Sequence, residues 1–535
     1  MGFFRKNNLK SEVSSLNNDN ICPVVQYVFY FLMILFEEEA MKKHLALVLC
    51  LLMLVQALSA CSDGTSQDTG ADTSQSKNNE SGITETENAE SEKVTAESTL
   101  TIVNFNGRDY RMISTNQDER HVDICADEFT GAALNDLVHS RNLRVSELYN
   151  VNMVAEDESY SVINDMVRKD FTSGDLSYEL YLTNYTAHSL ATAGCLYNFY
   201  NLPYVNLTQE WWDQHEVADM TIQGNLFLAI GDISPTELLT SECMLFNKNL
   251  FDRSGIEYPY KDALDGKWTL DKVLAICDGR TTDLNGDGEI KVGDDLFSLT
   301  CWSDYPAAML YGAGGDFSHT DENGSIVLDI DVEKSSAIYD KIYALLKGTQ
   351  ANYEIEQHER SFKVFNDGRA YFCGITFQKI EKFLREMEDD YGVLPNPKFD
   401  ENQENYSTCV SGAGSMVVIP RSCSDVEFVG AMTEAMAALS YDMITPDLID
   451  VLASTKNVRD TESSQIVQLI IRNRNFDTAR MHDVSVDGFV EQLLRADSVE
   501  ISSYFAMNEK VWSTGLKQLN KKYEKLNSAD TEAAG

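Results

Sequence analysis

The chain has 535 residues, with 43 Lys and Arg against 85 Asp and Glu, a formal net charge of −42. Nucleic acid is excluded as a partner, because protein affinity for it comes from Lys and Arg neutralising phosphates, and a polybasic hold on anionic lipid is excluded on the same ground. With 43% hydrophobic and 10% aromatic residues the chain has ample material for a packed core, which excludes wholesale disorder.

In chain order, residues 1–40 read as a non-native N-terminal extension ahead of the true start. Met41 then opens a secretory signal over 41–60, with Lys42 and Lys43 as the positive region and Leu45 to Leu58 as an apolar run broken by Gln56. That run is shorter than the roughly 20 residues a spanning helix needs. Leu58-Ser59-Ala60-Cys61 resembles the lipobox of bacterial lipoproteins. The resemblance implies that Cys61 carries lipid and becomes the mature N-terminus, anchoring the protein at the extracellular face of the cytoplasmic membrane. Residues 61–98 continue as a polar, acidic stretch that cannot bury enough surface to offset its ordering entropy, so a disordered linker is expected.

The folded body starts at residue 99. Thr99–Val103 is a β-rich run, Glu128–Tyr149 has helical spacing, and Leu180–Leu182 and Leu226–Ile230 read as short strands. Cys243–Phe246 reads as a strand that enters a helix at Asn247, and Val426–Leu439 as a strong helix. Thr269 is placed as a helix cap, with Trp268 packing beneath it. Trp211 and Trp212 read as core. Residues 527–535 read as a disordered tail. Alternating strands and helices point to α/β architecture. Eight cysteines follow Cys61 with no CxxC pair and no zinc spacing, so buried free thiols are expected.

Residues 283–294 match a twelve-position calcium loop. Asp283, Asn285 and Asp287 stand at positions 1, 3 and 5, Gly288 makes the sharp turn, Glu289 offers its carbonyl, and Asp294 closes the loop. A hard cation wants six to eight oxygens at this spacing. One structural Ca²⁺ is therefore expected. The sequence Asp321–Ile326 places its glycine too early for a second copy and reads as a β-turn.

Several phrases in order resemble extracellular solute-binding proteins, family 1, the sugar-binding lipoproteins of bacterial ABC importers. They include Leu134-Asn135-Asp136 with Arg141-Asn142, Leu202-Pro203 through Trp211-Trp212, and Leu245–Phe251 with Gly255-Ile256. Further on come Gly266–Asp271, Asn366–Ala370 before Phe372, Tyr391–Lys398 and Arg459–Ser463.

The resemblance implies a two-lobed periplasmic-binding-protein-like fold, type II, with ligand enclosed between lobes by hinge closure. Lobe 1 is expected over 99–238 and 376–415, and lobe 2 over 239–375 and 416–526. Crossings are expected near Pro235–Cys243, Phe372–Phe377 and Gly412–Val418. A sugar needs an aromatic platform and planar polar groups. Strand-end loops and crossings supply Asn184, Tyr185, Glu237, Trp302, Tyr305, Thr376 and Phe377 as candidates. The function this implies is capture of a sugar or oligosaccharide and delivery to ABC permease subunits. The alternatives are a surface glycan-binding adhesin without transport and an exported glycosidase. The sequence shows no nucleophile elbow and no HExxH, so a non-enzyme is expected.

Overall fold

The computed structural model describes residues 95–453, 461–484 and 486–534, which belong to one compact unit. Cys61, the signal segment 41–60 and the extension 1–40 lie outside the described residues, as do Arg459 and Asp460 and all but the last residues of the 61–98 linker.

Among the described residues thirteen strands run in chain order: β1 Arg108–Thr115, β2 Val151–Glu158, β3 Leu180–Thr183, β4 Glu242–Asn247, β5 Phe297–Trp302, β6 Ser318–Thr320 and β7 Ile326–Leu328. Then follow β8 Asn352–Glu354, β9 Ala370–Thr376, β10 Tyr391–Leu394, β11 Thr408–Cys409, β12 Met416–Val418 and β13 Arg474–Asn475. Of these, β6-β7 and β11-β13 form separate pairs, and two sheets hold the other nine. One has the order β12-β3-β1-β2 and the other β10-β4-β9-β5-β8. In the first, β1 runs parallel to β2 and β3 while β12 is antiparallel. In the second, β4 lies antiparallel between β10 and β9, and β9, β5 and β8 are parallel.

Each sheet has its own hydrophobic core. One surrounds β1, β3 and β12 with Trp212, Phe428 and Met436; the other surrounds β4, β5 and β9 with Trp268, Phe251 and Tyr339. All six residues of β4 and all seven of β9 are buried, and because both faces are covered the strand interior Cys243–Phe246 is continuously apolar rather than alternating. The helix Val426–Met443 buries every residue from Phe428 to Ser440, so it runs through the interior of the first lobe. Asn247 ends β4 and caps the next helix, its side-chain oxygen accepting from Leu250 N at 2.9 Å.

Strand partners reassign the second half of the chain. β10, expected in lobe 1 with residues 376–415, pairs with β4 of lobe 2. β12 and the helix Val426–Met443, expected in lobe 2, complete lobe 1 by pairing with β3 and packing into its core. Phe372–Phe377 is likewise no crossing, because β9 lies between β4 and β5 inside one sheet. The lobes are joined instead where three segments meet. Ser241 bridges Val410, β11 pairs in parallel with β13, and Ser411 N donates to Thr240 O at 3.1 Å.

Other elements differ locally. The first strand begins at Arg108 rather than in Thr99–Val103. Leu226–Ile230 is buried but joins only one isolated bridge, Ala229 to Val417. Thr269 caps with no side-chain bond, whereas Trp268 is fully buried and its indole N–H donates to Pro395 O. The helix Ile501–Ala534 continues through the expected tail, and Asn527 is tied to Asn225 and Gln223. Along that helix Ile501, Phe505 and Trp512 enter one core, and Leu516, Leu519 and Tyr523 the other, so it braces both lobes. The cysteines from Cys125 to Cys423 are free, and all but Cys125 are buried. No helix among the described residues is long and apolar enough to cross a membrane.

Candidate functional site

In both sheets the parallel strands point their C-terminal ends toward the junction of the lobes. β1 ends before Asp118 and Arg120, β8 before His358, and β9 before Gln378 and Lys379. A cleft of about 180 Å³ lies there. Asp118 and Arg120 line it from lobe 1, and His358, Thr376, Gln378, Lys379, Lys382 and Phe383 from lobe 2. Thr240, Ser411 and Ala413 of the crossings complete its lining. This is the place where open parallel sheets bind ligands, outside the carboxyl ends of their strands.

Lobe 2 presents its side chains by helical spacing. In the helix Phe377–Leu384, Phe377, Ile380 and Leu384 turn inward, leaving Lys379, Lys382 and Phe383 on a neighbouring face. A small aromatic group supports it: the His358 ring centre lies 5.7 Å from Trp302 and 5.6 Å from Phe383. Phe383 also stacks on Phe362 at 5.1 Å.

Lobe 1 contributes a strained loop. Asp118 and Glu119 are consecutive non-glycine residues at φ 53° and 63°. Each such residue costs of order 1–3 kcal/mol and persists where surrounding contacts hold it. Those contacts reach the other lobe. The Gln378 amide donates to the Asp118 carbonyl at 2.7 Å, and the Lys382 ammonium stands 3.8 Å from the Asp118 carboxylate. The cleft is thus bridged at its rim.

Several polar atoms around the cleft and its hinge are buried with no hydrogen-bond partner: Arg120 Nε, Thr376 Oγ1, Glu237 Oε1 and Ser241 Oγ. Buried polar groups are normally paired, so unpaired ones beside a cavity mark where water or ligand completes the bonding. Burial pushes the Glu237 carboxyl above its ordinary range, against the pull of Arg474. Burial, then the charge of Asp304, pushes Glu242 up to about 8. Burial lowers Arg120, with Asp118 opposing.

Neither a family model nor a curated protein matches the chain. Among solved structures it resembles a cyclo/maltodextrin-binding protein complexed with maltotetraose, at TM-score 0.51 and 10% identity over 78% of this chain and 97% of that one. It also resembles UspC of M. tuberculosis, at TM-score 0.50 and 12% identity over 77% of this chain and 100% of that one. The fold is that of the two-lobed periplasmic binding proteins. At these identities the likeness carries architecture and not ligand.

Within this binding-protein fold the residues named from sequence separate. Thr376 lines the cleft. Trp302 is half-buried at the end of β5, edge-on to His358. Tyr185 packs against Gly412, where an added Cβ would lie 2.9 Å from the ring, and the Asn184 side chain is spent on Thr186. Glu237 is a hinge residue, paired with Arg474. Tyr305 and Phe377 belong to the core of lobe 2. Tyr305 is 1% exposed and donates to Asn396 at 2.8 Å, and Phe377 faces inward at the helix start. Sequence reasoning missed Asp118, Arg120, His358, Gln378, Lys379, Lys382 and Phe383. The three-and-four spacing of Lys379, Lys382 and Phe383 directly after Thr376-Phe377 was the available signal.

The 283–294 turn is built on its own amides. The Asp283 carboxylate accepts from Gly286 N and Gly288 N at 2.6 and 2.7 Å, and Asn285 Oδ1 from Asp287 N at 2.8 Å. Lys291 Nζ lies 3.1 Å from Asp287 and 2.5 Å from Glu289. Among the described residues no three His, Cys, Asp or Glu side chains are grouped as a metal would need.

Proposed function

We propose that this protein is a lipid-anchored extracellular solute-binding protein that captures a carbohydrate by lobe closure and delivers it to an ABC importer. The observation that carries the reading is the interlobe cleft, walled by strand ends of both sheets, bordered by unpaired buried polar atoms and bridged at its rim by Asp118 and Gln378. A ligand touching both walls favours the closed arrangement by its contacts with the two lobes together. The maltotetraose held by the neighbour of like fold supports a saccharide as the class. A binding protein rather than a glycosidase accords with the binding proteins it resembles.

A thermal-shift screen over saccharides and peptides tests the reading, since a ligand that binds the folded state raises the melting temperature. Turnover of an oligosaccharide would overturn it. Anchoring through Cys61 is tested by Cys61→Ser, which should release the protein from the membrane fraction. Co-purification of permease subunits with the anchored protein tests delivery.

For the 283–294 turn we propose one structural calcium ion held by Asp283, Asn285, Asp287, the Glu289 carbonyl and Asp294. Support comes from the spacing and from the turn already closed by Asp283. Binding requires Lys291 to leave Asp287. Titration calorimetry with calcium chloride should show a single site that Asp283→Asn with Asp287→Asn abolishes. A melting temperature unchanged by chelator and by added calcium would refute it.

A further inference from the structure

We infer that the cleft takes a single-ring saccharide bearing a carboxylate, a hexuronate-type sugar, held by Arg120 and Lys379; this rests on the carbohydrate-binding reading above. The argument begins with charge sign. In a chain of net charge −42 the cleft is lined by Arg120, Lys379 and Lys382 against the single carboxylate of Asp118. A cavity whose sign opposes that of the whole molecule favours an anion inside it.

Arg120 gives the anion a place. Its side chain is 3% exposed. Nη1 donates to the Ala413 carbonyl, Nη2 is 3.8 Å from Asp118, and Nε has no partner. The Nε–Nη2 edge of this buried guanidinium therefore makes no close bond. That edge is a planar fork matched to a carboxylate. The same edge of Arg111 shows the match, with Nε and Nη2 at 3.1 and 2.6 Å from Glu179. Other buried arginines are supplied from within: Arg474 has the carboxylates of Asp213 and Glu237, and Arg141 has Ser440 and the carbonyl of Asp123.

Lys379 is the second cation. Among the described residues it forms no ion pair, and its ammonium lies 5.5 Å from the Phe362 ring centre. Glu242 lies close enough to feel its charge, and burial, then the charge of Asp304, raises that carboxyl to about 8. The remaining lining suits a sugar ring. Thr376 Oγ1 awaits a partner for a hydroxyl, and Phe383 and His358 offer ring surface to C–H groups. The volume, about 180 Å³, is below the roughly 300–1,000 Å³ of pockets for drug-sized ligands, so one ring fits better than a chain.

The test is calorimetry on the mature chain with D-glucuronate, D-galacturonate, their neutral parents D-glucose and D-galactose, and D-glucose 6-phosphate. A uronate should bind at least about tenfold more tightly than its neutral parent, a margin a fork on a buried carboxylate readily supplies. Lys379→Gln should reduce that preference severalfold. Arg120→Met should abolish it; because Arg120 also holds Ala413, Lys379→Gln decides the matter where Arg120→Met fails to fold. Neutral sugars binding as tightly as uronates would overturn the carboxylate while leaving the carbohydrate reading intact. Tightest binding by the phosphate would overturn it in favour of a phosphosugar. Binding by none of the five overturns the hexuronate, and a wider saccharide screen that also stays silent overturns the carbohydrate reading itself.

Discussion

Arg474 lies where the crossing segments meet, and removing its charge should damage the whole molecule. Its side chain is 5% exposed and bonds the carboxylates of Asp213 and Glu237, themselves 7% and 1% exposed. Arg474→Met keeps the length and apolar volume of the stem and deletes the cation. Two buried carboxylates then face each other with no cation between them, Asp213 keeping only the amides of His215 and Glu216, and breaking a buried pair in this way costs about 3–5 kcal/mol. The loss depends on pH. Burial already raises Glu237 above its unfolded value of 4.5, and without Arg474 it rises further. A carboxyl raised in the folded state stabilises fully below its unfolded pKa, and that contribution is lost as pH rises through the folded value. Arg474→Met should therefore be mild near pH 5 and severe near pH 8. Urea denaturation of both proteins at the two pH values measures the difference. A cost below about 1 kcal/mol at pH 8, or one independent of pH, would refute the reasoning, since a buried pair broken on one side cannot be that cheap. Adding Asp213→Asn and Glu237→Gln should recover much of the loss.

Other outcomes follow from the same physics. Glu434 accepts both indole N–H groups of Trp211 and Trp212 at 3.0 Å and Asn206 N at 3.2 Å, so Glu434→Leu should cost about 2–4 kcal/mol by stranding three donors, measured by urea melts. Burial raises the Glu434 carboxyl to about 7, so tryptophan fluorescence should titrate near pH 7 and lose the transition in Glu434→Gln. His482 is held neutral by burial, its pKa lowered from 6.5 to about 4, with bonds to Thr478 O and Tyr523. Its depressed pKa gives stability that is present above pH 6.5 and lost as pH falls toward 4, up to about 3 kcal/mol, and His482→Gln should flatten that acid limb in thermal melts. In β9 an added Cβ at Gly374 would lie 2.1 Å from the Tyr305 ring, so Gly374→Ala should destabilise lobe 2 by at least about 1–3 kcal/mol, read by the same melts.

Sequence alone determined those elements whose signal is local. Cys243–Phe246 followed by Asn247 reads as strand then cap because a doubly buried strand is continuously apolar and Asn accepts a first-turn amide. The α/β class and the burial of Trp211, Trp212 and Trp268 were legible in the same way, while the two lobes followed from the family resemblance and not from any local signal. Which lobe each late segment joins was not, because β10 and β12 choose partners more than a hundred residues earlier in the chain, and their own residues suit either sheet. The cleft was decided at that level too. Tyr305 and Phe377 have sugar-binding side chains, but the packing of their sheet turns them into its core. Asp118, Arg120, Lys379 and Lys382 look like surface charges in a row of letters. Only the meeting of β1 and β9 at the lobe junction brings them to one cavity, since a site built from two lobes is defined by distances that no single stretch of sequence contains.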